Sequence, residues 1–165
     1  MGDSERYPLF QVSTSKFLVL SICSFGIYDI YWTYQQWKRI ADATGAAISP
    51  FWRTFFGPIF NFALFDRIED VALEHEIVVT WRPSVLATVI LLFSFALRLP
   101  DPWSLIGLAF FAPFIPVQAT VETVNDRVAA TVTETRNDRY GAGGIATVVI
   151  GGLLLVLVIV GTFML

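Results

Sequence analysis

Five long apolar runs separated by shorter polar stretches set the pattern of this chain. A bilayer core about 30 Å thick needs roughly 20 helical residues at about 1.5 Å each, with backbone polar groups paired inside the segment. Ile145 to Leu165 meets that length without a charge, which predicts a membrane-spanning helix over about 143–165. Phe17 to Trp37 is also long enough, carries Asp29 as its only charge, and has Ser13, Thr14 or Ser15 available as an N-cap. A second span is expected there.

The other three runs are shorter. Residues 50–65 open on Ser49-Pro50, a good helix start, but contain Arg53, Gly57 and Pro58 and would rise only about 24 Å, so this run is expected to be kinked or re-entrant. Residues 83–99 and 103–117 flank the break Leu99-Pro100-Asp101-Pro102-Trp103 and read as a helical hairpin turning at one membrane face. Trp81 and Trp103 would anchor it, with Arg82 and Arg98 snorkelling outward. Pro113 and Pro116 would kink or end the fourth run.

Two amphipathic surface helices are expected between the spans. Over about 66–76, Ile68, Val71, Ala72 and His75 share one face while Asp66, Glu69, Asp70, Glu74 and Glu76 crowd the other. Over about 117–138, Val117, Val121, Val124, Val128 and Val132 form an apolar stripe. The predicted fold class is all-α: an integral membrane helical bundle of four or five transmembrane helices plus these two, in a single domain over residues 1–165.

Aromatic residues sharpen the membrane reading. Between Phe25 and Phe65 the chain places 13 of its 25 aromatics in 41 positions. Indole and phenol rings concentrate where hydrocarbon meets headgroups, the ring body on the apolar side and the N–H or O–H kept wet. Tyr28, Tyr31, Trp32, Tyr34 and Trp37 form one expected interface cluster, and Phe51 with Trp52 a second.

Composition agrees. The 165 residues are 55% hydrophobic and 15% charged, with a mean hydropathy of +0.64, more apolar than a soluble domain of this size could bury. The net charge of -3 comes with no basic cluster, which argues against nucleic acid as a partner. The lipid bilayer is the expected partner, and a second copy of the chain or another membrane protein the next. The single Cys23 lies within an apolar run and reads as packing. No removable signal peptide is expected from the acidic start MGDSERYPLFQVST, and Arg6 argues against myristoylation at Gly2. With five spans, Lys and Arg are biased toward the side holding the N-terminus. If 50–65 only dips in, the N-terminus flips and the last three spans keep their orientation, so the C-terminus is expected outside in both cases.

The segments KFLVLSICSFGIYDIYWTYQQWKRI and SPFWRTFFGPIFNFALFDRI carry words of the form FGIYxIYW and SPFWRxFFxPIF. Over roughly residues 13–68 the chain resembles a family of small prokaryotic multi-pass membrane proteins classed as a domain of unknown function. That resemblance implies a prokaryotic inner or plasma membrane. It brings no established activity, and so no functional residues.

Candidate chemistry rests on a few polar groups. At about 100° per residue, Gly26, Asp29, Thr33 and Gln36 fall near one line along the first span. An ionisable group within a span is a functional candidate and needs a partner or a wet cavity. Arg53 is the expected cation for Asp29, with Gly57 and Asn61 on nearby faces; a structural ion pair is the plainer reading of Asp29, and transport or proton relay the sharper. Gly143, Thr147 and Gly151 recur every four residues and leave a groove for close helix packing, within the chain or against a second copy. The carboxylates near His75 do not make a metal site, because the only His in the chain projects from the opposite face. No nucleophile and base arrangement or phosphate-binding glycine motif is present, so an enzyme is not expected, and no cofactor is. The expected role is a small membrane scaffold or interaction protein; the rival is a transporter or channel subunit with a polar path past Asp29, lined by Thr33, Gln36, Asn61 and Arg53.

Overall fold

The computed structural model describes residues 9–96, 98, 100, 108–132 and 144–153. These are all-helical, without a strand: α1 (Thr14–Cys23), α2 (Ile27–Thr44), α3 (Pro50–Phe55), α4 (Gly57–Glu74), α5 (Pro83–Ala96), a 3-10 turn (Leu108–Phe111), α6 (Phe114–Val132) and α7 (144–153).

The run over 17–37 is two helices, where one span was expected. Ser13 caps α1, its Oγ accepting from the Lys16 amide at 3.4 Å. The helix then stops because Phe25 and Gly26 take positive φ, 50° and 84°. The Gly26 amide closes the turn on the Ser21 carbonyl at 2.9 Å. Left-handed backbone cannot continue a right-handed helix, and glycine adopts it without a Cβ penalty. α2 restarts at Ile27 and ends on Gly45, whose left-handed amide bonds back to Ala41 at 2.9 Å.

The run over 50–65 breaks as well. Pro58 has no amide to offer the turn before it but is tolerated in a first helical turn, so α3 ends and α4 begins around Phe56. α4 then continues unbroken to Glu74, so the acidic segment 66–76 is the second half of this helix and not a separate surface helix. Of the run 103–117, only the 3-10 turn and the start of α6 lie among the described residues. α6 begins at Phe114, three residues before the expected polar helix, and holds Pro116 in its first turn, where a missing amide is tolerated. Trp103, Gly143 and most of the 99–103 turn lie outside the described residues, as does 154–165. Among the described residues no helix is both long and apolar enough to cross a membrane.

α4 packs on α5 and α6, α1 on α6 and α2, and α3 folds back on α2. Rings tie these helices together edge-on. Phe17 meets Trp32 with centroids 5.6 Å apart, Trp32 meets Phe114 at 5.7 Å, Phe114 meets Phe65 at 5.7 Å and Phe65 meets Trp81 at 6.1 Å. Such pairs each add about 0.5–1.5 kcal/mol beyond their burial. Val117, Val121 and Val124 are fully buried beside them, so this part of the valine stripe faces the core.

Two expected interface rings, Trp32 and Trp37, are therefore core residues with no exposure. The reason is helical phase: Asp29, Trp32, Thr33, Gln36, Trp37 and Ile40 share the inward face of α2, while Tyr31 and Tyr34 stand outside. Tyr28 is half-buried, whereas Phe51 and Trp52 are exposed. Trp81 is buried too, its indole N–H donating to Thr120 Oγ1 at 2.9 Å.

Candidate functional site

Three interruptions of helix meet around one cavity. The α1/α2 break presents Asp29 and Thr33, the α3/α4 break presents Thr54 and Asn61, and the 3-10 turn contributes Phe110. The space measures about 220 Å³ and is partly open. Ile30 and Phe55, 59% and 66% exposed, stand in its lining at the surface, and Ile90 and Phe114 wall the interior.

Asp29 is 2% exposed. One carboxylate oxygen, Oδ1, accepts a short hydrogen bond from the Ser21 hydroxyl. In one continuous helix these two residues would lie about 12 Å apart along the axis, so the break at Gly26 is what brings them together. The second oxygen, Oδ2, is buried with no partner. Thr54 Oγ1 and Asn61 Oδ1, on residues lining the same cavity, are also buried without partners. A buried polar atom left unpaired costs about 1–3 kcal/mol, and these three belong to residues that line one cavity from two helix breaks.

The cavity lining is acceptor-rich. The first-turn amides nearby are already used: Ile27 and Asp29 donate to Ser24 and Gly26 carbonyls at 3.2 and 3.0 Å, Tyr28 to Ser24 Oγ at 2.9 Å, and Ile59 and Phe60 to the Phe56 carbonyl at 3.0 and 3.1 Å. The helix starts that would otherwise attract an anion therefore have their donors engaged.

The expected Asp29–Arg53 ion pair does not form. The Arg53 guanidinium lies over the Trp37 ring, 4.3 Å from its centroid, and 5.6 Å from that of Phe60. A guanidinium stacks on an indole face at little loss of hydration, and this placement draws it away from the cavity. Gln36 does not line the cavity either; its Oε1 accepts from the Phe10 amide at 3.1 Å. Of the predicted polar path, Asp29, Thr33 and Asn61 come together, while Gln36 and Arg53 do not join them.

The chain matches no protein-family model, no characterised protein and no solved structure.

Gly151 is buried at a close helix approach. A Cβ there would fall 1.6 Å from the Cys23 carbonyl oxygen, so its neighbour is the end of α1 in the same chain. Thr147 lines a groove between α7 and Lys16, Leu20 and Tyr28. His75 is half-buried, with Nδ1 2.8 Å from the Val71 carbonyl, and no cluster of metal-ligating side chains occurs among the described residues.

Sequence reasoning missed several polar groups. Gln118 is fully buried, accepts from the Trp32 indole N–H at 2.6 Å and donates to the Val12 carbonyl at 2.6 Å. Its position beside Val117 and Val121 on the stripe was the available signal. Ser21 and Thr54 gave none, because neither reaches Asp29 or its cavity unless the helices break.

Proposed function

We propose that this chain is an integral membrane protein whose helical bundle holds a small-solute site at Asp29, in the manner of a transporter or channel subunit. The observation that carries this reading is the buried Asp29 carboxylate, free at Oδ2, beside a cavity lined by Thr33, Thr54 and Asn61. A scaffold would close that carboxylate against Arg53 and fill the space with rings. Here the guanidinium rests on Trp37, and the space stays open.

Membrane placement draws support from the outer surface. Ile27, Ile30, Phe55, Phe56 and Ile59 around the helix breaks, and Val85, Leu92 and Phe95 on α5, are all exposed. Large apolar patches of this kind are rare on soluble monomers. The resemblance of residues 13–68 to small prokaryotic multi-pass membrane proteins points the same way, to an inner or plasma membrane, and the bias of Lys and Arg along the chain to a C-terminus outside.

Two measurements test the reading. Alkaline carbonate extraction should leave the chain in the membrane pellet, and its release would end the membrane assignment. In a Cys23→Ser background, Thr33→Cys should react with N-ethylmaleimide in native membranes while Val121→Cys, in the packed core, should not, because a thiol reacts as thiolate and needs water. Equal silence of both thiols would mean a sealed interior and would overturn the site.

A further inference from the structure

We propose that the Asp29 cavity binds a small organic ammonium ion, an amine cation carrying an apolar body, which is the substrate class of the solute site and rests on that reading. The donor and acceptor count supports it. Asp29 Oδ2, Thr54 Oγ1 and Asn61 Oδ1 are three buried oxygens without partners, and a primary ammonium group carries three N–H donors and no acceptor. One carboxylate supplies the single opposite charge such an ion needs.

The rest of the lining selects among cations. A sodium or magnesium ion wants a shell of oxygens on all sides, but Ile90, Phe110 and Phe114 close much of this space with hydrocarbon. Those walls suit an alkyl body, and ring faces attract an ammonium in a desolvated site. Asp29 is the single carboxylate of this lining, and no group of three or more metal-ligating side chains occurs among the described residues. An anion would meet the like charge of the Asp29 carboxylate. The volume of about 220 Å³ far exceeds that of a bare metal ion and accommodates a short alkylamine.

Ile30 and Phe55 stand exposed in the same lining, so the approach is apolar. An amphiphilic amine can reach such a rim from the edge of the bilayer, its head drawn inward to Asp29.

The test is equilibrium dialysis of the intact chain in nanodiscs against radiolabelled n-butylammonium, with empty nanodiscs as the baseline and a melting temperature recorded for every variant. Saturable binding is expected, with no competition from butyrate or n-butanol and little from sodium at equal concentration. Asp29→Asn keeps an oxygen for the Ser21 hydroxyl while removing the charge, and should weaken binding about tenfold or more. Thr54→Val should weaken it about threefold, and decides the matter if Asp29→Asn melts early. Binding indifferent to both substitutions would be lipid partition alone and would overturn the site. Sodium competing as well as butylammonium would overturn the organic ligand. Absence of binding while Thr33→Cys still labels would remove the ammonium assignment and leave the wet cavity standing; absence of both would remove the two readings together.

Discussion

Gly151 and Gly152 are adjacent in α7 but meet different surroundings, and alanine at each isolates the close approach of α7 to α1. At Gly151 a Cβ would fall 1.6 Å from the Cys23 carbonyl oxygen and 2.5 Å from its carbon, whereas at Gly152 nothing lies within 4 Å. The helix-propensity gain of alanine over glycine, about 1 kcal/mol, is common to the two positions and cancels in their difference. What remains is overpacking, about 1–3 kcal/mol. The upper end applies, because the obstacle is backbone at the end of α1 and cannot rotate away as a side chain would. A difference near 3 kcal/mol in a chain of this length corresponds to about 6 °C or more in melting temperature. Gly151→Ala should therefore melt well below the parent and Gly152→Ala at or slightly above it, measured by thermal unfolding of the purified chain in one detergent. Melting temperatures within about 1 °C of each other would refute the contact.

Gln118→Leu should lower stability by about 2–5 kcal/mol, since it strands both the buried Trp32 N–H and the Val12 carbonyl; earlier thermal melting checks this, and an unchanged melting temperature would refute it. Asp29→Asn and Arg53→Gln should combine additively within about 0.5 kcal/mol, because the two side chains do not pair, and a larger coupling in a double-mutant cycle would restore the ion pair. Gly26→Ala should cost about 1–2 kcal/mol for its left-handed backbone, beyond which its Cβ would sit 1.8 Å from the tip of the Phe110 ring. Adding Phe110→Ala should relieve only the second part, and full recovery would show that the backbone conformation imposes no strain.

The helical class and several helix starts were legible in the sequence, because caps act over a few residues: Ser13 and Ser49-Pro50 announce α1 and α3, and Pro83 opens α5. The first break was harder to read. Phe25-Gly26 sits inside an apolar run whose length outweighed it, whereas Gly57 and Pro58 already marked the run over 50–65 as kinked. Once the first run is split, Asp29 acquires Ser21 as a neighbour, which no continuous helix allows. Trp32 and Trp37 could have been placed inward from their spacing with Gln36 and Ile40, but rings near a supposed interface were assigned by residue type and not by phase. The Asp29–Arg53 pair failed for a tertiary reason: the guanidinium had an indole face available, and no one-dimensional pattern shows which partner is nearer.

The segment from Leu9 to Thr14 is held by groups distant in the chain. The Val12 carbonyl accepts from Gln118 across a separation of 106 residues and the Thr14 amide donates to Glu122 across 108, while Leu9 is fully buried. During synthesis at about 5–20 residues per second, this segment would wait roughly 5–20 s before its anchors on α6 emerge. Closure of so long a loop then comes late in assembly. Until that moment α1 has its start capped by Ser13 but the segment ahead of it undocked, and Leu9, which the finished protein buries, stays exposed. Slowing elongation ahead of residue 114 would lengthen that exposure.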